Sequence, residues 1–280
     1  WSDATSQRTN EPTNQRTNEP TNQRTNPMCL IVFKFTPDAQ RYLLLAANRD
    51  EFHERPARVM GWWSWPRGAL AGRDEKGGGT WLALGRDGRW AAVTNFRDPR
   101  AGGGRRSRGE LPVEFIAGER SPERFSGDVH ARRDAYGPFN LLVGQRDSLW
   151  YVSSHAGPSP VEPGVHALSN GLLDEPWPKS RRAAKALGGL GELGPADPQR
   201  LFELMNDRQP ADDDELPETG VGTELERFLS PPFIVGERYG TRCTTLVSLA
   251  GRSWAAERSF DPAGSVQAEL RYGFDREFSP

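Results

Sequence analysis

The chain has few residues of the kinds that hold small domains together without a large core. Only two of its 280 residues are cysteines, Cys29 and Cys243. Disulfide scaffolds place many more cysteines in much shorter chains, so a disulfide framework is excluded. The four histidines lack HExxH spacing and a CxxC partner, so no metal site and no cofactor are predicted.

The chain also lacks a long hydrophobic run and a strong net charge. No apolar stretch reaches the roughly 18 residues of a membrane-spanning helix, so no membrane span is expected. The formal net charge is −2, which indicates neither nucleic acid nor an acidic surface as a partner. We therefore expect a cytoplasmic protein. The GxSxG and P-loop motifs are missing as well.

A polar repeat occupies residues 7–27. The eight letters QRTNEPTN occur from Gln7 and again from Gln15, and a third copy breaks off as QRTNP. This segment has no aliphatic side chains to bury, so we predict disorder over 1–27. Either a gene-start assignment extended across a short DNA repeat or a genuine disordered tail accounts for it. We predict one domain over 28–280, with Met28 as the natural start.

The rest of the chain alternates hairpins with pairs of helices. β-rich runs with turns predict hairpins over 29–50, 77–96 and 138–154, and a short strand over 164–170. Residues 62–72 indicate irregular chain packed by aromatic rings. Helical spacing predicts helices over 108–118, 121–134, 177–190 and 197–207. Strands are predicted again over 231–236, 241–251, 253–260 and 265–274.

These elements predict an α+β fold and not a doubly wound parallel sheet, because strands and helices do not alternate regularly. Strands without a polar face, such as residues 29–33 and 42–47, are typical of sheets covered on both sides. Two antiparallel sheets between layers of helices fit this pattern.

Cys29 is the first candidate for chemistry. If Met28 is removed, Cys29 becomes the first residue, and its free α-amine has an ordinary pKa near 8. Such an amine can accept the proton of its own thiol, as in N-terminal nucleophile enzymes. A buried structural cysteine in a strand is the alternative.

Three further polar stretches end or begin predicted strands. Asn48, Arg49, Asp50 and Glu51 follow an apolar strand and could place a cation and a carboxylate beside Cys29, or simply form a surface turn. Asn170 could donate its amide to an oxyanion, or serve as a turn residue before Gly171. Arg242 could contact a substrate or support a thiolate, or remain an edge-strand charge. The basic RRSR letters at 105–108 indicate a solvated loop.

Several motifs together resemble the NRDE family, whose eukaryotic members are called transport and Golgi organization proteins. The resemblance rests on MCLIVF, AANRDEF, LAGRD, GGTWLAL, AAVTNFRDP, SRGELP, FNLLVG, LSNGLLDEPWPK and YGTRCTTL, which extend from Met28 to about Leu246.

The resemblance implies a four-layer αββα sandwich of the N-terminal-nucleophile hydrolase type, similar to cysteine amidases. It implies Cys29 as nucleophile and Asn170 as an oxyanion donor. In those amidases two residues separate the supporting arginine and aspartate, whereas Arg49 and Asp50 are adjacent here. Either Asp50 or Glu51 is therefore the candidate for positioning the amine, and Asn48 could take the place of the arginine. Candidate substrate-binding residues are Asn48, Trp81 and Asn95.

The same resemblance implies a second reading, in which the chain carries a haem or lipid-like ligand without catalysis. Cys29, His53 and the aromatic stretch 62–65 could provide an axial ligand and a wall for haem. An acidic stretch at 211–218 suggests a protein-interaction module as a third reading. The expected partner is thus a small-molecule amide or a haem-like ligand, and the sequence does not specify the oligomeric state.

Overall fold

The computed structural model describes residues 29–66, 68–190 and 198–275. Residues 1–27, which include the polar repeat, and Met28 lie outside the described residues. The strands and helices below are numbered in chain order.

A six-stranded antiparallel sheet carries both ends of the described chain. Its strand order is β10-β1-β2-β11-β12-β13. The strands are β1 (Cys29–Phe35), β2 (Leu43–Phe52), β10 (Gly164–Leu168), β11 (Tyr239–Leu249), β12 (Arg252–Phe260) and β13 (Val266–Asp275).

A seven-stranded antiparallel sheet is built from the middle of the chain in simple sequence order, β3 to β9. Its strands are β3 (Ala57–Trp62), β4 (Ala69–Asp74), β5 (Leu82–Gly85), β6 (Trp90–Asn95), β7 (Phe139–Gln145), β8 (Ser148–Ser153) and β9 (Ser159–Pro160). Asp87 and Gly88 turn the β5–β6 hairpin, as their turn chemistry predicts, and Gly88 has φ of 84°.

Five α-helices are present in the described ranges: α1 (Glu110–Ala117), α2 (Pro122–Ala131), α3 (Pro178–Gly189), α4 (Pro198–Met205) and α5 (Thr223–Leu229). The first four confirm helices predicted from the sequence. Ser121 caps α2 by accepting a hydrogen bond from the backbone N–H of Arg124. None of the helices in these ranges is long and apolar enough to cross a membrane.

Apolar side chains cover both faces of each sheet. Phe33 and Leu45 of the six-stranded sheet pack with Trp90 of the other sheet in the largest cluster. Leu30 and its neighbours pack under α3 and α4, and a third cluster joins the seven-stranded sheet to α1 and α2. The fold is thus mixed α/β with mostly antiparallel sheets.

Three local predictions differ from the structure. Residues 62–72 are not irregular throughout, because they include the end of β3 and the start of β4; exposed residues and a register shift between Arg58 and Gly61 obscure the strand pattern of this edge hairpin. Residues 231–236 form no strand, because Pro231 and Pro232 cannot donate ladder hydrogen bonds. Helix α5 was not predicted.

Candidate active site

Three neighbouring strands bring Cys29, Arg49 and Cys243 into one row. Cys29 of β1 lies opposite Arg49 of β2, and Cys243 of β11 lies opposite the same Arg49 on the other side. Directly opposed residues point to the same face of a sheet. Strands are about 4.8 Å apart, so the two cysteines are separated by about twice that distance, beyond disulfide reach. Both are free thiols.

Strand β2 sends the four polar residues Asn48, Arg49, Asp50 and Glu51 to alternate faces. Asn48 and Asp50 lie on the side of the sheet that packs under the helices, in line with Ala46 of that cluster. Arg49 and Glu51 lie on the side that faces the other sheet. Period-two geometry therefore divides the motif into two pairs with different surroundings.

Arg49 belongs to a buried network of alternating charges. Its Nη2 lies 3.5 Å from Glu51 Oε2 and 3.7 Å from Asp74 Oδ2. Arg55 joins the same two carboxylates, at 3.4 Å from Glu51 Oε2 and 2.7 Å from Asp74 Oδ2. The guanidinium of Arg49 also stacks 4.5 Å from the centre of the Trp81 ring. These contacts fix the arginine beside Cys29.

The two carboxyl groups of this network have opposite pKa shifts. Burial raises the pKa of Glu51, and the positive charge of Arg49 opposes that effect only in part. Burial acts in the same direction on Asp74, but the hydrogen bonds from Arg55 and the Gly77 backbone N–H, together with the charges of Arg55 and Arg49, outweigh it and lower the pKa of Asp74. Asp74 is therefore the carboxylate that most firmly anchors the network.

A cavity of about 930 Å³ opens at this end of the sheets, and Cys29 lines it. Arg49, Trp81 and Asn95 line it as well. The opposite wall is formed by 98–104 and 106–109, which are rich in glycine and arginine. The lining is therefore mainly polar, with both signs of charge.

The Cys29 thiol is uncharged at neutral pH in these surroundings. Burial first and the negative charge of Asp50 second raise its pKa to about 12. Arg49 and a hydrogen bond from the backbone N–H of Asp50 act in the opposite direction, and Glu51 adds to the rise. Using this thiol as a nucleophile therefore requires a group that takes its proton.

Asp50 is completely buried on the helix side of the sheet. Thr241 Oγ1 donates to Asp50 Oδ1 at 2.7 Å, whereas Asp50 Oδ2 has no hydrogen-bond partner among the described residues. A bulge in β11 between Thr241 and Cys243 places both residues beside β2 on opposite faces. Burial raises the pKa of Asp50 to about 6, and the charge of Lys179 is the largest effect that opposes the rise.

Asn170 continues the β10 register and lies next to the start of β1. Ser169 Oγ donates to the backbone carbonyl of Cys29 at 3.1 Å. The Asn170 side-chain amide donates to the backbone carbonyl of Asn95 at 2.7 Å. The structure thus brings Asn170 and Asn95 together with Cys29 at one end of the two sheets.

Four of the predicted site residues do not line the cavity: Asn48, Asp50, Asn170 and Arg242. Arg242, at the β11 bulge, donates to the backbone carbonyls of Phe52 and Arg55 and so braces the chain after β2. Asn48 donates to two backbone carbonyls on the helix side, at Met205 and Pro232.

The residues considered for haem do not form one site. His53 Nε2 is 3.0 Å from the Gly236 carbonyl oxygen. Trp62 packs edge-on against two aromatic rings of β13, whereas Trp65 is 70% exposed. No group of three or more His, Cys, Asp or Glu side chains within the described ranges is arranged to hold a metal ion.

Sequence reasoning missed several charged residues near Cys29. Lys179, in the first turn of α3, is buried, and Arg108 is half-buried at the cavity wall, where it donates to the Pro138 carbonyl. The prediction that residues 105–108 form only a solvated loop is therefore wrong for Arg108. Asp74 anchors the Arg49 network. Lys179, Arg108 and Asp74 all lie within motifs on which the family resemblance rests. Their place in those motifs could have identified them as candidate site residues.

The fold and site define a class of mixed α/β protein with a cysteine at the first position of a central strand, beside a polar cavity. The sequence model described as "Transport and Golgi organisation 2" matches residues 28–262. The chain therefore belongs to this family.

Individual relatives agree with the family match. The Transport and Golgi organization protein 2 homologs of Bos taurus and Homo sapiens are 34% and 33% identical to this chain over 262 and 257 residues. Each alignment covers 83% of this chain and 93% of the relative. A solved structure, the Caenorhabditis elegans N-acylethanolamine-hydrolyzing acid amidase ortholog, aligns with a TM-score of 0.43 and 8% identity over 78% of this chain and 92% of its own.

Proposed function

We propose that this protein is an N-terminal-cysteine hydrolase that cleaves a carbon–nitrogen (amide) bond of a small molecule. The observation that carries the proposal is the placement of Cys29 at the first position of β1, on the cavity side and opposite Arg49. We further propose that the two sheets and their helices form a four-layer αββα sandwich of the N-terminal-nucleophile type.

The proposal requires a chain that begins at Cys29. The thiol pKa of about 12 means that a base must remove its proton near neutral pH. A free α-amine on the same residue has an ordinary pKa near 8 and is within reach of its own side chain.

The proposed reaction proceeds through an acyl-enzyme. The Cys29 sulfur attacks the amide carbon while the α-amine takes the thiol proton. The amine then returns that proton to the leaving nitrogen as the carbon–nitrogen bond breaks, which leaves a thioester on Cys29. Water, deprotonated by the same amine, hydrolyses the thioester and restores the thiol.

Of the two carboxylates considered, we assign Asp50 to the amine. Glu51 is already engaged, because its Oε1 accepts from the backbone N–H of Phe52 and its Oε2 lies near both Arg49 and Arg55. Asp50 retains an oxygen without a partner among the described residues.

The remaining candidate residues stabilise charge, contact the substrate or hold the chain in place. Arg49 stabilises negative charge on the cavity side, and Asn170 is the proposed donor to the oxyanion. Arg242 holds the chain after β2 in place. Trp81 and Asn95 line the cavity and are the proposed contacts to substrate.

A non-catalytic carrier of a haem or lipid-like ligand is the second candidate function. The cavity volume favours it, because about 930 Å³ is large enough for a ligand of that size. The charged lining disfavours it, since apolar ligands bind mainly to apolar walls.

The first experiment is intact mass and N-terminal sequencing of protein from its native cell, followed by amide-substrate screening of the chain that begins at Cys29. We expect turnover that Cys29→Ser lowers at least 100-fold. The matched control is Cys243→Ser, which changes the other buried thiol and should retain most of the activity.

Two outcomes would reject the catalytic proposal. One is a native chain that retains residues before Cys29, because it has no free amine at that residue. The other is full turnover by Cys29→Ser. Haem titration of the chain that begins at Cys29 tests the carrier, and an unchanged haem spectrum would argue against haem as its ligand.

A further inference from the structure

A buried lysine lies behind the strand that begins with Cys29. Lys179 is the second residue of α3, which packs on β1 and β10, and its side chain is only 2% exposed. Its Nζ has no hydrogen-bond partner among the described residues. An ammonium group in such a place is costly unless an opposite charge stabilises it.

Asp50 is a buried carboxylate on the side of the sheet that α3 covers, and among the described residues it forms no direct ion pair with Lys179. It is fully buried on the helix side of β2, and its Oδ2 also has no partner among the described residues. The charge of Asp50 is the strongest electrostatic effect that favours the ammonium form of Lys179, and the reverse is true for the carboxylate. The two groups are therefore matched charges on facing elements.

Three other residues act on the charge of Lys179: Glu226, Arg97 and Cys29. Glu226 of α5 is held by an ion pair with Arg97 and by hydrogen bonds from Thr219. Arg97, in the chain after β6, opposes the ammonium form of Lys179. Cys29 lies opposite Arg49 on the other face of the sheet from Asp50. Because Glu226 is already paired with Arg97, Asp50 is the carboxylate whose negative charge Lys179 stabilises.

We propose that Lys179 is a positioning residue whose buried ammonium group keeps the Asp50 side chain ionised beneath the first residue of β1. A protonated Asp50 could not hold an amino group at Cys29 as a charged acceptor. The inference rests on the proposed function only in assuming that the Asp50 carboxylate positions the α-amine of Cys29. The ionisation itself can be measured without any substrate.

The test uses the pH dependence of stability to determine the ionisation of Asp50. Because the pKa of Asp50 is raised above its ordinary value of 3.8, the folded wild-type chain binds a proton more tightly than the unfolded chain. Asp50→Asn should therefore gain stability relative to wild type as pH rises above about 4, by up to tenfold in the unfolding constant per pH unit. The gain should level off near pH 6, the pKa of Asp50.

The same pair of chains is then compared in a Lys179→Met background by urea unfolding from pH 4 to pH 7, where Lys179 itself stays charged because burial lowers its pKa only to about 8. We expect the gain to keep rising above pH 6 in this background. Lys185→Met is the matched control, because Lys185 lies on the same helix but is exposed. In that background, and with Lys179→Arg, levelling should stay near pH 6. Levelling at the same pH with Lys179→Met would overturn the inference.

A Lys179→Met chain that does not fold at neutral pH is also informative. Recovery of the fold at pH 5, and in the Asp50→Asn/Lys179→Met double variant, would support the inference, because both conditions remove the unpaired carboxylate. Failure to recover in both would overturn it.

The activity assay separates this inference from the proposed function. A shifted stability profile without Cys29-dependent amide cleavage would leave the inference standing and reject the function. Cys29-dependent cleavage together with an unshifted stability profile would support the proposed function and reject the role of Lys179. If both hold, the acidic limb of the kcat/KM profile should also move upward by about one pH unit in Lys179→Met and not in Lys185→Met.

Discussion

The Cys29 thiol sits among groups that hold it protonated. Burial and the charge of Asp50 outweigh the attraction of Arg49 and raise its pKa to about 12. Since only the thiolate is a nucleophile, the chemistry at this residue depends on the proton acceptor placed beside it.

In a chain with residues before Cys29, we predict that carbamidomethylation of Cys29 by iodoacetamide accelerates about tenfold per pH unit between pH 7 and pH 10. The reason is that the thiolate fraction increases throughout this range, which lies below a pKa of about 12. Peptide mass spectrometry of timed samples would give the rate for Cys29 separately from Cys243. A rate that levels off near pH 8.5 would show an ordinary thiol pKa and would contradict the rise that burial causes at Cys29.

At the scale of single elements, Asn48 ties β2 to the helical layer. Its amide donates at 2.8 Å to the carbonyls of Met205, at the end of α4, and of Pro232, in the chain before β11. Its Oδ1 accepts from Thr244 Oγ1 of β11 at 2.6 Å. One side chain therefore joins two strands, a helix and a proline-containing segment.

We predict that Asn48→Ala lowers the free energy of unfolding by about 2–4 kcal/mol, because it leaves two buried carbonyls and a hydroxyl without partners. Urea unfolding would measure the loss. Thr244→Val, which removes one of the three hydrogen bonds, should cost less than Asn48→Ala. A substrate-binding role without a structural one would instead leave stability unchanged.

A second element-scale feature is the contact between β4 and the Trp81 ring. A Cβ at Gly72 would lie 2.2 Å from the Trp81 ring, so the glycine allows the ring to lie flat beside Arg49. We predict that Gly72→Ala costs about 1–3 kcal/mol through overpacking. Gly127→Ala, on the exposed side of α2 with nothing within 4 Å, should instead stabilise by up to about 1 kcal/mol. Thermal and urea unfolding of both variants would check the contrast, and equal effects would refute it.

At the scale of the whole molecule, the contact between the sheets is centred on large aromatic rings. Trp90 of β6 is fully buried, and its ring centre lies 6.2 Å from that of Phe33 on β1. Gly144 of β7 leaves room for it, since a Cβ there would lie 2.5 Å from Trp90 Nε1. Both sheets therefore share one core.

We predict that Trp90→Ala lowers the free energy of unfolding by about 3–5 kcal/mol. Because the two sheets share this core, circular dichroism and fluorescence should report one coincident transition in the variant. The control is Trp65→Ala, which removes an exposed ring and should change stability by less than about 0.5 kcal/mol. Separate transitions for the two probes would contradict a shared core.

Much of the local structure followed from the sequence because its signals are local. Apolar runs, the turn at Asp87 and Gly88 and the Ser-Pro start of α2 predicted the main hairpins and four of the five helices in the described ranges. Signals failed where the pattern was weak, as in the β3–β4 edge hairpin, or where prolines interrupted an apolar run, as at residues 231–236.

The sequence by itself determined which residues are chemically notable: a cysteine at the start of an apolar strand and a polar quartet at the end of the next. Only the tertiary structure decided their roles, because strand alternation turns Arg49 and Glu51 toward the cavity and Asn48 and Asp50 toward the helices. It also brought Lys179, more than 120 residues along the chain from Asp50, to the same buried place. The proximity of Lys179 and Asp50 depends on how α3 packs across the sheet, and no local sequence pattern predicts that packing.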